Sequence, residues 1–388
     1  MRDLVRRIDA ATPPDRDRAL DALRALAICG VVLGHWLVTA LVADSGTLHG
    51  ESPLARLPQL TPISWVLQTL AVFFLVSGRV AAAGYVTHRA RGGGYRRWLG
   101  ARLVRLSRPV VAVVAVWTVV AGVLLAAGVP VATVHTLVKL VLSPLWFLLV
   151  LAGLTALTPL VVRLHPGWPA AVVAAVDVCR FALGGPGWLG WVNVAAGWLV
   201  PYCLGAAWAR GRLAGRGTGW ALLCGGAAAT VCLVCWAGYP AAMVGVNGAA
   251  VSNLNPPTLA AVTFGLTQCG AALLLLGGLR RLTARPVVWA VVAVANLYAM
   301  TVFLWHQTAM MAVTAVGLSA GHPLPGLHTR PDGYGWVLAR LAWLPVFATA
   351  LLFCWAAFHR WEQSGRRRGG AVVVRQGCPT AAGAVRDA

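Results

Sequence analysis

Between Arg18 and Val42 the chain reads R-A-L-D-A-L-R-A-L-A-I-C-G-V-V-L-G-H-W-L-V-T-A-L-V. This run is long and apolar enough to cross a bilayer as a helix, yet it holds Asp21, Arg24 and His35. Ionisable groups at membrane depth are costly, so each is a functional hypothesis. Arg24 and His35 are eleven residues apart, about three full turns, which sets both side chains on one face roughly 16 Å apart along the axis. Such a face lines a groove with a cation at one end and, deeper in, an imidazole able to act as a general base. Asp21 precedes Arg24 by three positions and can pair with it, lowering the cost of holding the guanidinium at the membrane boundary. A structural salt bridge is the plainer reading of Asp21. A hydrogen bond to a neighbouring helix would explain His35.

Three further stretches carry chemically capable groups. V-F-F-L-V-S-G-R ends the second apolar run and presents Ser77, a donor for a carbonyl oxygen, beside Gly78. Gly78 admits either another helix or a thin substrate arm, and a small-residue packing interface is the plainer use. Arg79 lies toward the end of that run, where it can snorkel. Y-R-R-W-L-G-A-R-L-V-R-L-S-R-P leads into the third run, with Arg102 and Arg105 one turn apart on a shared face. Y-A-M-T-V-F-L-W-H-Q holds His306, at a depth comparable to His35, so the two imidazoles could meet across one cavity. A packed, hydrogen-bonded histidine is the alternative there.

Arg-x10-His in a first membrane helix, F-F-x-x-S-G near the end of a second and an arginine-rich entry to a third resemble the acyltransferase 3 family of integral membrane acyltransferases. The L-W-F-L segment at Trp146 and the late-helix His306 are similar to further family segments, whereas Arg79 departs from the aromatic or aliphatic residue usual after Ser-Gly. The resemblance covers roughly residues 18–362 and implies a ten-helix core. It also implies transfer of an acyl group from cytoplasmic acyl-CoA to a hydroxyl, usually of a sugar or glycan. On that basis His35 is the catalytic base, Arg24 its motif partner, and His306 and Asp21 secondary candidates. Arg102 and Arg105, with Arg97, are assigned to the phosphates of CoA, because guanidinium forks match pairs of phosphate oxygens. Ser77 and Gly78 join them in the donor site. Attraction to anionic lipid would explain the same arginines. Acyl-CoA is a co-substrate, and no bound cofactor or metal is expected.

The elements that position these residues follow from composition. The chain has 388 residues, 59% hydrophobic and 11% charged, and its many long apolar runs specify an all-α, polytopic membrane bundle. Ten segments are expected, near 19–42, 62–84, 107–128, 144–163, 168–184, 188–209, 218–238, 257–279, 287–318 and 335–359. The fifth is short and interrupted around Gly184-Gly185-Pro186-Gly187. A net charge of +21 invites a nucleic-acid reading. However, the arginines cluster in alternate loops, at 88–108, 210–216, 280–285 and 360–368, which is the positive-inside pattern. Both termini are therefore expected in the cytoplasm, with a polar lead at 1–17, a membrane domain at 18–362 and a flexible tail at 363–388. The nearly all-arginine basic set and the Ala, Gly, Val and Leu excess read as a GC-rich, bacterial coding bias.

Competing functions leave weaker traces. A proton-coupled transporter would want carboxylates at depth, but the chain has only 11 acids and Asp177 alone sits well inside a run. A glycosyltransferase would want an acidic cluster for a metal-bound nucleotide sugar, and none is seen. Cys232-Leu-Val-Cys235 has metal-pair spacing but lies mid-span without a second pair. Asn253 and Asn255, in a loop expected outside, could touch an acceptor hydroxyl, although a proline turn before a helix suits them better. The expected partners are acyl-CoA, a hydroxyl-bearing glycan or glycoside, and the lipid of the cell membrane.

Overall fold

The computed structural model describes residues 2–213, 215–246 and 251–373, with side chains through residue 359. The chain opens with the short helix α1 (Arg2–Ala10) and then α2 (Arg18–Val38). The Asp17 carboxylate caps α2 by accepting from Leu20 N at 3.3 Å. This helix ends before the expected Val42. At Thr39 the backbone becomes extended, and β1 (Ala40–Asp44) pairs antiparallel with β2 (Thr47–Glu51). The turn Ser45-Gly46 has positive φ at both positions, the geometry that suits the twist of a tight hairpin.

Short helices α3 (Pro53–Arg56) and α4 (Thr61–Leu67) lead into α5 (Leu70–Ala90). Next come α6 (Tyr95–Ala126), α7 (Val131–Leu142), α8 (Leu145–Ala156), α9 (Thr158–Val161), α10 (Gly167–Asp177) and α11 (Val192–Ala209). The chain continues through α12 (Arg216–Trp236), α13 (Leu259–Thr283), α14 (Pro286–Leu297), α15 (Ala299–Gly317) and α16 (Tyr334–Val373). Residues 374–388 of the expected tail lie outside the described residues.

Among the described residues, nine helical stretches are long and apolar enough to cross a membrane. Ten were expected, and the missing one is 168–184. α10 has 11 residues, about 16 Å of helix against a hydrocarbon core of about 30 Å. It passes into a π-helical turn at Val178–Ala182 before the glycine-proline break. The expected segment 287–318 is two helices, α14 and α15, which part at Tyr298.

Inter-element contacts sort the loops into two ends. At one, Arg79 pairs with Asp17 at 3.3 Å, Trp289 donates to Thr12 at 2.7 Å and Tyr298 meets His359 with rings 6.0 Å apart. Asn296, two residues before Tyr298, donates to Asp21 O at 2.7 Å, so the first turn of α2 and residue 359 of α16 share an end. Arg79 also lies 4.1 Å over the Trp208 ring, so it is paired rather than merely snorkelling. At the other end the hairpin is held by Leu48 N donating to Thr133 Oγ1 at 3.0 Å, Ala43 N to His328 O at 3.0 Å, and Arg330 on Asp44 at 2.8 Å. The Ser45 hydroxyl and the Arg330 guanidinium hold the Asp44 carboxyl below the usual carboxylate range.

The helices that carry the site cross closely where glycines allow it. Gly78 on α5 faces the Tyr202 backbone of α11, and Gly205 of α11 faces Leu75 and Arg79 of α5. The open role of Gly78 is thereby decided by packing: a helix, not a substrate arm, occupies the space of its missing side chain. A β-carbon there would overlap the Tyr202 carbonyl. Gly78→Ala is expected to destabilise the protein by about 1–3 kcal/mol, the range for overpacking a close contact. A drop in melting temperature in detergent checks this, and an unchanged melt would mean that the crossing yields freely.

Asp177, the carboxylate a transporter would need, is tied into structure. It accepts from Asn193 Nδ2 at 2.9 Å, Tyr239 OH at 3.0 Å and Leu259 N, the first residue of α13, at 2.7 Å. Burial and the neighbouring Asp177 charge push the Tyr239 phenol up, so it remains a donor. The carboxylate fastens the start of α13 to α10 and α11. Asn253 is likewise buried, with its amide on Ala242 O at 3.1 Å and its oxygen accepting from Thr258 at 2.6 Å.

Candidate active site

A cavity of about 700 Å³ opens among α2, α5, α6, α8 and α15. Arg24, Ser77, Arg102 and Arg105 line it, and so does Arg108. No carboxylate belongs to its wall. Arg102 is steadied by Val80 O at 3.3 Å and by the Trp98 ring at 4.7 Å. Among the described residues, Arg24, Arg105 and Arg108 form no ion pair or hydrogen bond. Four guanidinium groups around one void repel each other, and a polyanion would relieve that repulsion through charge-assisted, paired hydrogen bonds.

Arg24 is left to the void because the expected pair with Asp21 does not form. Asp21 accepts from Arg16 Nε at 2.6 Å instead. Its backbone carbonyl takes Asn296 Nδ2 at 2.7 Å, placing another polar side chain on the cavity wall. The lead at 1–17 therefore supplies the counter-ion of Asp21. Arg97 also departs from expectation: it is exposed on α6 and is not among the lining residues. The next residue, Trp98, packs inward, and one step along a helix turns a side chain by about 100°, which carries Arg97 off that buried face.

Away from the arginines the wall is apolar, formed by Ile28, Phe73, Phe147, Leu148, Leu151 and Phe303. Phe147 touches Phe73 at 4.9 Å and Phe303 at 5.5 Å between ring centroids. Phe303 in turn lies 6.0 Å from the His306 ring. Phe303 thus borders both the cavity and a histidine pair.

His35 and His306 meet as anticipated, with ring centroids 5.1 Å apart. His306 is fully buried. Its Nδ1 lies 2.6 Å from Phe303 O, an acceptor only, so Nδ1 carries the proton and Nε2 the lone pair. That Nε2 has no partner among the described residues. His35 is partly exposed, and its Nδ1 lies 3.2 Å from Gln307 Nε2. Trp36 Nε1 donates to His306 O at 2.9 Å, locking α2 to α15 beside the pair.

A buried cation braces this arrangement. Arg340 of α16 is 1% exposed and donates to Trp36 O at 2.6 Å, Thr39 O at 2.7 Å and Gly326 O at 2.9 Å. Trp36 and Thr39 belong to the end of α2, whose carbonyls are the negative pole of the helix dipole. Trp146 packs against Trp198, with ring centroids 6.1 Å apart.

Arg108, Gln307, Phe303 and Arg340 were missed as site residues. Arg108 continues the three-residue spacing of Arg102 and Arg105, and Gln307 adjoins His306 in sequence. Arg340 is a lone cation inside the last apolar run, the signal that drew notice to Arg24. Among the described residues no group of three or more His, Cys, Asp or Glu could hold a metal ion.

Comparison with known proteins bears on the chemistry. No curated protein and no solved structure matches the chain significantly. The acyltransferase 3 family model, described as an acyltransferase domain, matches residues 17–359. That span runs from the cap of α2 to the last described side chain of α16 and includes both histidines and all four cavity arginines. The chain belongs to the acyltransferase 3 family and is a multi-pass membrane acyltransferase.

Proposed function

We propose that the protein moves an acyl group, acetyl in the simplest case, from acyl-CoA to a hydroxyl of a sugar, glycan or glycosylated metabolite, with His35 as general base. The observation that carries this reading is the cavity with four arginines and no acid, ending in an aromatic wall that touches the His35–His306 pair. The arginine end suits the phosphates of CoA, and the apolar stretch suits the pantetheine arm. Ser77, whose hydroxyl is unpaired among the described residues, lines the same cavity and suits a hydrogen bond to the thioester carbonyl oxygen. The basic loops favour the arginine end in the cytoplasm of a bacterial cell, with the donor inside and the histidines toward the outer half. The acceptor class rests on the family's usual chemistry.

The step itself is simple. A thioester is already activated, so the protein must align the acceptor hydroxyl and take its proton. The imidazole of His35 removes the proton as the hydroxyl oxygen bonds to the thioester carbonyl carbon. The C–S bond breaks, sulfur leaves with the electron pair, and the CoA thiolate recovers the proton from the imidazolium. Arg24, on one face with His35 but nearer the phosphates, holds the donor by charge.

Titrating the detergent-solubilised protein with CoA and acetyl-CoA tests the donor half. A ligand that binds only the folded state raises the melting temperature with concentration. Wild type is expected to be stabilised, and Arg102→Ala/Arg105→Ala to lose most of that shift, more so as salt screens the remaining arginines. No shift with CoA or longer acyl-CoAs at millimolar concentration would remove the main physical support for this donor. A transporter reading draws nothing from the structure, because Asp177 is fully engaged in holding helices together.

A further inference from the structure

Gln307 is buried on α15, next to His306 in sequence and against His35 in space. We propose that Gln307 is the positioning residue that holds the proton of His35 on Nδ1 and so leaves Nε2 as the base. The inference rests on the reading of His35 given above.

A neutral imidazole has one N–H and one lone pair, and whichever group meets one nitrogen decides the state of the other. For His306 the choice is made by a carbonyl, Phe303 O, which only accepts. For His35 the polar partner among the described residues is the Gln307 amide, 3.2 Å from Nδ1. An amide can serve either way, since half a turn exchanges its oxygen and nitrogen within nearly the same shape. With the nitrogen toward the ring, the amide donates to Nδ1. The His35 proton is then forced onto Nε2, no lone pair is left for a substrate, and Gln307 Oε1 is buried without a partner. Half a turn brings Oε1 to Nδ1–H, gives that oxygen the donor it lacks, and frees the lone pair on Nε2. Proton abstraction from the acceptor hydroxyl requires the second arrangement. The amide then supports the imidazolium as it forms, because Nδ1–H stays hydrogen-bonded while Nε2 gains the proton. Trp36, which ties α2 to the His306 carbonyl, keeps the amide and the ring in register.

The test separates tautomer from activity. Nitrogen-15 NMR of histidine-labelled protein in lipid, with His35 assigned by its loss in His35→Gln, reads the protonated nitrogen directly. Wild type is expected to show Nδ1–H at His35, and Gln307→Met to lose that preference. In kinetics, Gln307→Met is expected to lower kcat about 10–100-fold, the usual effect of removing a group that orients a functional histidine, with KM for acetyl-CoA unmoved. Gln307→Glu, which can only accept when ionised, is expected to recover most of the lost kcat. An Nε2–H tautomer in the wild type overturns the proposal. So does a Gln307→Met protein with unchanged kcat, or a folded Gln307→Glu protein as slow as the methionine variant. The NMR result does not depend on turnover, so it stands or falls separately from acyl-CoA binding, which the CoA melting shift reports.

Discussion

Replacing His35 by alanine is expected to lower acyl transfer about 100- to 10,000-fold, the contribution of a positioned general base, while leaving stabilisation by acetyl-CoA intact. The two halves of that result come from different parts of the structure. His35 is not among the residues that line the arginine cavity, so its removal takes no contact from the donor's phosphates. Its polar contact is with Gln307, whose loss of a partner is local. What disappears is the lone pair that takes the hydroxyl proton. The measurement is single-turnover transfer with a hydroxyl acceptor alongside a CoA melting titration. Full activity in His35→Ala would remove the base from this site. Lost activity together with lost CoA stabilisation would instead mean that the imidazole belongs to the donor pocket.

The spans were legible because a run of apolar residues in a bilayer has one way to satisfy its backbone, and that is local. The hairpin at Ala40–Glu51 escaped for the same reason in reverse. Its first strand is as apolar as the helix before it, and only the Asp-Ser-Gly turn marks the change. The shortness of α10 was visible as a glycine-proline break, but the π-helical turn at Val178–Ala182 was not.

At the site, similar depth brought His306 to His35, but the single groove expected from the spacing of Arg24 and His35 does not form: Arg24 lines the cavity and His35 does not. Choices between partners were harder to read. Asp21 had two arginines within reach, and it takes Arg16 because the lead folds back to offer that guanidinium at 2.6 Å. Gly78 and Arg97 differ by what packs across from them, which no local pattern encodes: α11 closes on the first, and the second stays exposed.

Arg340→Ala is expected to destabilise the protein by about 3 kcal/mol and to slow transfer, although Arg340 touches neither cavity nor histidine. Removing the guanidinium leaves the carbonyls of Trp36, Thr39 and Gly326 without their donor in a dry interior, each worth about 1–3 kcal/mol. The sum is offset by relief from burying a cation that has no carboxylate partner among the described residues. Lost packing over the Phe347 ring, 4.6 Å from the guanidinium carbon, works against that relief. Trp36 is the link to catalysis, since its carbonyl receives Arg340 while its indole holds the His306 carbonyl. Loosening the end of α2 therefore loosens His35 against Gln307. Arg340→Lys separates charge from geometry: a compact ammonium on a flexible stem keeps the dipole interaction but cannot span three carbonyls. It is expected to melt between wild type and Arg340→Ala while transferring nearly as slowly as the latter. A melting curve and a transfer rate for both variants check this. If Arg340→Ala melts like wild type, the end of α2 is held by its hairpin and not by this cation.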